Sequence, residues 1–259
     1  MSATSTTTSV RDLDDYTRQY RSLPFEPLQI EYRRRLVLQQ VAAVRPARLL
    51  EVGCGERPLF LDLPGVACTV VEPTPAFAQQ ARALAGTREG LRVAGDFIES
   101  FDPLGECYDM IVASCVLHEV PDPQAFLLAL RRLCGPQTVV HINVPNARSL
   151  HRLLAVAMGL IADPDTPSQT QRTMQQRADV YTLPSLTQAL AAAGLAVTAS
   201  GTLFVKPFTH GQMQQLVNQG FMTPAMLDGL GRLVDWLPEL GSELWVHARA
   251  VELQESHHG

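Results

Sequence analysis

Arg48-Leu-Leu-Glu-Val-Gly-Cys-Gly-Glu-Arg-Pro58 decides the fold. An apolar run, Leu49 to Val52, stops at Gly53 and Gly55. Glycine allows a sharp backbone turn and leaves room for a ligand against the main chain. A strand, a Gly-x-Gly turn and a following apolar segment open a nucleotide-binding α/β unit. Such a unit calls for an acid at the end of the next strand. Val66-Ala-Cys-Thr-Val-Val-Glu72 ends in a carboxylate 17 residues after Gly55. A carboxylate there can accept both hydroxyls of a ribose.

A dinucleotide fingerprint places a third glycine three residues after the second. Pro58 stands there, and no Gly-Lys-Ser/Thr follows, which argues against NAD and ATP. Glu51 adds an acid that repels a pyrophosphate, so an adenosine carrying a cation fits better. Glu51-x-Gly53-x-Gly55 resembles motif I of the class I S-adenosylmethionine (SAM) methyltransferases. The resemblance implies an α/β, Rossmann-like fold with a seven-stranded, mostly parallel sheet, helices on both faces and an N-terminal helical extension. It also implies SAM, as methyl donor or as substrate; the Cys and His pattern leads to the expectation of no metal.

The 259 residues suit one α/β domain with embellishments. Residues 1–10 are Ser/Thr-rich and read as a disordered tail, 11–45 as a helical extension or lid, 46–253 as the SAM-binding domain and 254–259 as a second tail. Hydrophobic content of 46% with 18% charged residues indicates a globular chain. A net charge of −5 gives no footprint for nucleic acid. The longest apolar run, Leu153 to Ala162, is too short to span a membrane. No signal peptide is read at the N-terminus, and five scattered cysteines without a Cys-x-x-Cys pattern read as buried thiols, so a cytoplasmic location is expected.

Helical spacing predicts a first helix over Leu28 to Val44, with Arg33, Arg34 and Arg35 mostly off its apolar stripe. Strands are expected at Arg48–Val52, Ala67–Glu72, Leu91–Ala94, Tyr108–Ala113, Thr138–Asn143, Leu195–Phe204 and Glu243–Val251. Helices are expected at Ala76–Leu84, Gln124–Leu133, Ser149–Ile161 and Ser185–Ala193, with helical stretches at Gly211–Asn218 and Pro224–Trp236. Thr74 is the expected N-cap of the second helix, and Gly135 the stop after the helix that begins at Gln124.

The resemblance assigns the site. The extension lies over the ligand, so Tyr16, Tyr20, Phe25 and Tyr32 are candidates to face a sulfonium; the alternative is that they only anchor the extension. Asp96 and Phe97, after the third strand, hold the adenine, or else Asp96 caps a local turn. Ser114, after the fourth strand, offers backbone carbonyls to the methionine ammonium. His118 is a general base or a packing residue at a helix start, and His151 is a second base candidate. Asn143, Asn146, Ser149 and Arg152 lie at the strand ends where open α/β sheets bind ligands.

Three function classes follow. The first is methyl transfer to a small molecule, with His118 or His151 removing the proton. Phe25-Glu26, Gln29, Tyr32-Arg33, Val144-Pro-Asn-Ala147, Ser149, His151-Arg152, Lys206-Pro207 and Gln212-Met213 resemble a bacterial natural-product and polysaccharide subgroup that also resembles the azetidine-2-carboxylate synthases. That similarity implies the second class, cyclisation of SAM alone by its own α-amine. Asn143 or Asn146, Tyr181 and Ser200 or Thr202 would then hold the folded methionine chain. A third class, a SAM-binding partner subunit of another enzyme, has no need of an intact motif I, Glu72 and Asp96. Expected partners are a small molecule or SAM alone.

Overall fold

The computed structural model describes residues 22–166 and 180–251, together with Leu13 and Arg18. Tyr16, Tyr20 and both expected tails lie outside the described residues. The elements run α1 (Glu26–Val44), β1 (Arg48–Val52), β2 (Ala67–Val71), α2 (Pro75–Ala85), β3 (Leu91–Ala94), β4 (Tyr108–Ser114) and α3 (Pro123–Arg132). They continue with β5 (Cys134–Pro145), α4 (Leu150–Ala157), α5 (Leu183–Ala192), β6 (Leu195–Leu203), α6 (His210–Asn218), α7 (Pro224–Arg232) and β7 (Glu243–Ala250).

One seven-stranded sheet holds them, in the order β3-β2-β1-β4-β5-β7-β6. The first five strands pair in parallel. β7 enters antiparallel between β5 and β6. The carboxyl ends of β1, β2, β4, β5 and β6 and the amino end of β7 therefore meet along one edge of the sheet.

The apolar runs are long because the central strands are buried on both faces. On one face Leu50, Ile111, Val140 and Val246 pack with Phe126, Leu127 and Leu130 of α3 and Leu186 and Leu190 of α5. On the other, Leu49, Val70, Met110 and Val112 pack with Val37 and Val41 of α1 and Ala81 of α2. A satellite cluster of Phe25, Leu203, Phe204, Met213, Met222 and Leu227 seats the start of α1 on the segment after β6.

Several local expectations shift. β5 starts earlier than the apolar run suggests, so Gly135 lies in the strand and α3 closes at Leu133. α4 stops at Ala157 rather than Ile161. α7 stops at Arg232, and a 3-10 turn over Leu233–Asp235 continues it. Thr74 sits at the N-cap of α2 without a side-chain cap; its N–H donates instead to Glu72 Oε1 at 2.9 Å.

Where β5 ends, Asn146 locks the edge of the sheet. Its backbone N–H donates to the Ser242 carbonyl at 3.0 Å. Its Nδ2 donates to the carbonyls of Glu239 and Gly241 at 2.9 and 2.8 Å, and its Oδ1 accepts from Arg148 N at 2.9 Å. Its backbone also bridges to Tyr181. Asn146→Asp replaces the double donor with an acceptor and strands two carbonyls. It is expected to cost about 2–4 kcal/mol and to lower Tm by roughly 5–10 °C in a thermal melt. An unchanged Tm rules out this clamp.

Candidate functional site

A cavity of about 1140 Å³ opens over the carboxyl edge of the sheet. One wall is the glycine turn. Gly53 has φ 75° and donates to the Val71 carbonyl at 2.9 Å. A Cβ on Gly53 would stand 2.6 Å from Val116 Cγ2, so the turn and the loop after β4 close on each other without room for a side chain. Gly55 has φ 53°, in the region that disfavours other residues.

Two buried carboxylates brace this turn from beneath. Glu72 Oε2 accepts from Cys54 N and Gly55 N at 3.0 and 3.2 Å, and Oε1 from Thr74 N. An ionised carboxylate offers about four lone-pair positions, and three are taken here, all by backbone N–H groups. Glu51 Oε2 accepts from Leu59 N at 2.8 Å. Burial pushes the Glu51 carboxyl up to about 8 against the lowering effect of that N–H and of Arg34.

The loop after β4 forms the roof. Ser114 and Cys115 line the cavity, and Cys115 adopts φ 56°, a left-handed conformation that costs a non-glycine residue about 1–2 kcal/mol. Its N–H donates to the Asn143 carbonyl at 2.9 Å, which ties the turn to β5. His118, in a 3-10 turn over Leu117–Glu119, is buried and also lines the cavity, with Nε2 3.5 Å from Glu119 Oε1.

The opposite end is polar; of its residues, only His151 and Asn143 have a catalytic role expected from sequence. Glu26, Gln29 and Arg33 project from one face of α1 into it. Arg33 clasps Glu243, with Nε to Oε2 at 2.9 Å and Nη2 to Oε1 at 2.6 Å, and reaches Glu26 Oε1 at 3.1 Å. Asn143 Nδ2 donates to Glu243 Oε2 at 2.8 Å, and Gln29 Nε2 to Glu243 Oε1 at 3.1 Å. Burial would raise Glu243, but the Arg33 guanidinium and these hydrogen bonds outweigh it and hold the carboxyl below its ordinary value. Lys206, His151 and His210 complete this end.

Glu51, Gly53, Gly55, Glu72, Phe97, Ser114, His118, His151 and Asn146 thus come together on one cavity. Asp96 is off the wall: its Oδ1 accepts from Phe97 N and Ser100 Oγ, and so caps the local turn. Asn143 stands behind Glu243 as its support rather than facing a ligand. Tyr181 is buried beside Asn146, its carbonyl accepting from Ala147 N. Ser200 is exposed, and Thr202 Oγ1 donates to the Pro238 carbonyl, so neither hydroxyl holds a methionine chain.

Phe25 and Tyr32 correct the cation–π expectation. Phe25 is fully buried in the satellite cluster. The Tyr32 ring lies 4.7 Å from that of Phe204, and its hydroxyl donates to Asp228 at 2.8 Å. Both aromatics follow the apolar stripe of α1 away from the cavity. The arginines expected off that stripe include the buried ones: Arg33 holds Glu243, and Arg34 holds Asp62 and the carbonyls of Arg57 and Pro58. The signal was present as Glu26, Gln29, Ile30, Arg33 and Val37, which share a face at helical spacing.

Residues 28–200 match a family model described as a methyltransferase domain. This is well over half of the chain, which therefore belongs to the SAM-dependent methyltransferase family. Solved structures share the fold at low identity. A Haloferax volcanii methyltransferase in complex with a methyltransferase activator is 15% identical over 94% of this chain and 100% of that one, with TM-score 0.60. Burkholderia thailandensis 1,6-didemethyltoxoflavin N1-methyltransferase, with its namesake compound and S-adenosylhomocysteine bound, is 17% identical over 93% and 87%, at 0.56. The N-methyltransferase NodS of Bradyrhizobium japonicum with S-adenosylhomocysteine is 14% identical over 93% and 97%, at 0.55. No curated protein sequence matches the chain. Among the described residues no helix is long and apolar enough to cross a membrane, and no cluster of metal-ligating side chains occurs.

Glu51 yields a pH prediction. Folding raises its carboxyl from 4.5 to about 8, so the folded chain keeps a proton that the unfolded chain releases between those values. Its contribution to stability is complete below about pH 4.5 and is lost as pH rises toward 8. Glu51→Gln keeps an acceptor for Leu59 N–H and removes the titration. Relative to wild type, its Tm is expected to be higher at pH 8 than at pH 5; a difference that does not vary with pH refutes the buried proton.

Proposed function

We propose that the chain transfers the methyl group of SAM to a small molecule held in the same cavity. The observation that carries this reading is the cavity itself. It runs from the braced glycine turn to a separate polar wall, and its 1140 Å³ exceeds the roughly 300–1,000 Å³ of an ordinary small-molecule site. That is room for two ligands side by side.

The residues at the first end fit an adenosine that carries a cation. Gly53 and Gly55 present bare backbone to the cavity, against which a ligand can lie. Glu72 stands beside it with one lone pair still open to a ribose hydroxyl, and Phe97 offers a ring to the adenine end. The carbonyls near Ser114 can accept from the methionine ammonium, whose charge would favour the ionised form of the nearby Glu51. SAM, when bound, supplies a methyl group already activated by its sulfonium.

The chain's own work is then alignment and proton removal. His151 lines the second end, and its Nδ1 has no hydrogen-bond partner. Burial, with Lys206, His210 and Arg152 nearby, holds the imidazole well below its ordinary value and so neutral at pH 7. A neutral, cavity-facing imidazole can take a proton from an acceptor hydroxyl or amine as it attacks. His118, nearer the β4 loop, is the other base candidate. The natural-product context of the acceptor follows from the subgroup resemblance of Glu26, Gln29, Arg33 and Lys206.

The test is product mass after incubation with SAM, alone and with pools of small-molecule acceptors. S-adenosylhomocysteine formed only when an acceptor is present supports transfer. Methylthioadenosine with one equivalent of a cyclic amino acid from SAM alone replaces this reading with intramolecular cyclisation. For transfer, His151→Ala is expected to lower kcat at least about 100-fold with little change in S-adenosylhomocysteine affinity; unchanged kcat there, with loss in His118→Ala, moves the base to His118.

A further inference from the structure

The polar end of the cavity holds a cation with no direct bond to any described residue. Lys206, just past β6, is only 4% exposed and lines the cavity. Its ammonium makes no hydrogen bond or ion pair among the described residues. A buried ammonium without a partner costs several kcal/mol, so such a group ordinarily has one.

The two acids near it bond directly to Arg33, and the two histidines near it are uncharged. Arg33 clasps Glu243 with two nitrogens and reaches Glu26, so both nearby carboxylates already have a partner. Burial also raises Glu26 toward its neutral form, against the pull of Arg33. His151 and His210 are both held by burial in the neutral state. Burial, helped by Arg33, pulls the lysine itself down to about 8 against the opposing pull of Glu26 and Glu243, and it remains mostly protonated at neutral pH. Among the described residues, the arrangement is an ammonium on a cavity wall that shares the field of Glu26 and Glu243 with Arg33 and bonds directly to neither.

We propose that Lys206 anchors a carboxylate-binding subsite, so that the molecule held at this end of the cavity carries a carboxylate. The proposal deepens the methyl-transfer reading and rests on it for the direction of the second ligand. Two sources share this chemistry: the acceptor's carboxylate and the methionine carboxylate of SAM. The sheet favours the acceptor. β4, whose loop at Ser114 would take SAM's methionine end, and β6, which leads into Lys206, are three strand spacings apart, or roughly 14 Å.

Binding distinguishes the sources without any turnover. S-adenosylhomocysteine and its carboxamide are titrated calorimetrically into wild type and Lys206→Met, which keeps the stem and removes the charge. Propionate and benzoate, each against its own amide, are then compared on the S-adenosylhomocysteine-loaded proteins by saturation-transfer NMR. For an acceptor subsite, S-adenosylhomocysteine binds both proteins equally. Propionate or benzoate binds wild type, and its affinity falls about tenfold or more in the variant, as expected for one charge-assisted hydrogen bond. If SAM's own carboxylate is the ligand, S-adenosylhomocysteine loses that factor in the variant and the carboxamide does not.

A wild type titrated at pH 8.5 should also take up a proton on carboxylate binding, because an anion raises the lysine toward its charged form. Lys206→Gln serves if the Met variant fails to fold, and the proton uptake needs no variant at all. Equal affinities throughout, with no proton uptake, overturn the proposal. A wild type that fails to bind S-adenosylhomocysteine overturns the methyl-transfer reading instead; carboxylate binding to the ligand-free protein then still decides Lys206.

Discussion

The pair between Arg33 and Glu243 holds the two ends of the chain together over the edge of the sheet. One partner lies on the first described helix and the other opens the last strand, 210 residues apart. Glu243 is 3% exposed, and its oxygens accept from Arg33, Asn143 and Gln29. Desolvating such a pair is expensive, and it is tolerated because its hydrogen bonds are nearly complete. Loss of one partner would cost about 3–5 kcal/mol, since the other would stay buried and uncompensated. The pair also sets where α1 sits, and α1 supplies one wall of the cavity.

The other end of the cavity obeys a different constraint. The two glycines of the turn have no side chains, and only Cys54 between them packs into the core, so the shape depends mainly on what receives its backbone N–H groups. Glu72 takes those of Cys54, Gly55 and Thr74, and Glu51 takes that of Leu59. Two carboxylates with different surroundings follow. Glu72 is surrounded by donors, whereas Glu51 has one donor and burial raises it toward its protonated form. A cationic ligand would favour the ionised form of Glu51, which couples ligand charge to the geometry of the turn.

Much of the cavity's first end was legible in sequence because its residues lie next to strand ends. Glu51, Gly53, Gly55, Glu72 and Ser114 each follow or end an apolar run, and topology carries every such position to the same edge. The polar end was less legible. Arg33 and Gln29 sit in a helix whose apolar residues divide between two clusters, so a single-stripe reading left the polar face unassigned. Tyr32 misled for the same reason: its spacing is right for burial, but the stripe it belongs to packs on Phe204. Asn143 and Tyr181 are chemically apt for ligand binding, yet the antiparallel entry of β7 brings Glu243 to Asn143, and Tyr181 pairs with Asn146.

Local pattern alone established the α/β class, the strand and glycine turn that open it, the acid after the second strand and the approximate place of every strand. These follow from short-range physics: alternation, apolar run length and the steric freedom of glycine. Which polar side chains face the ligand was decided only in three dimensions. Burial of Arg33, Glu243 and Lys206 depends on partners far away in the chain, and no local window contains the desolvation cost that makes their pairing, or the lack of it, significant.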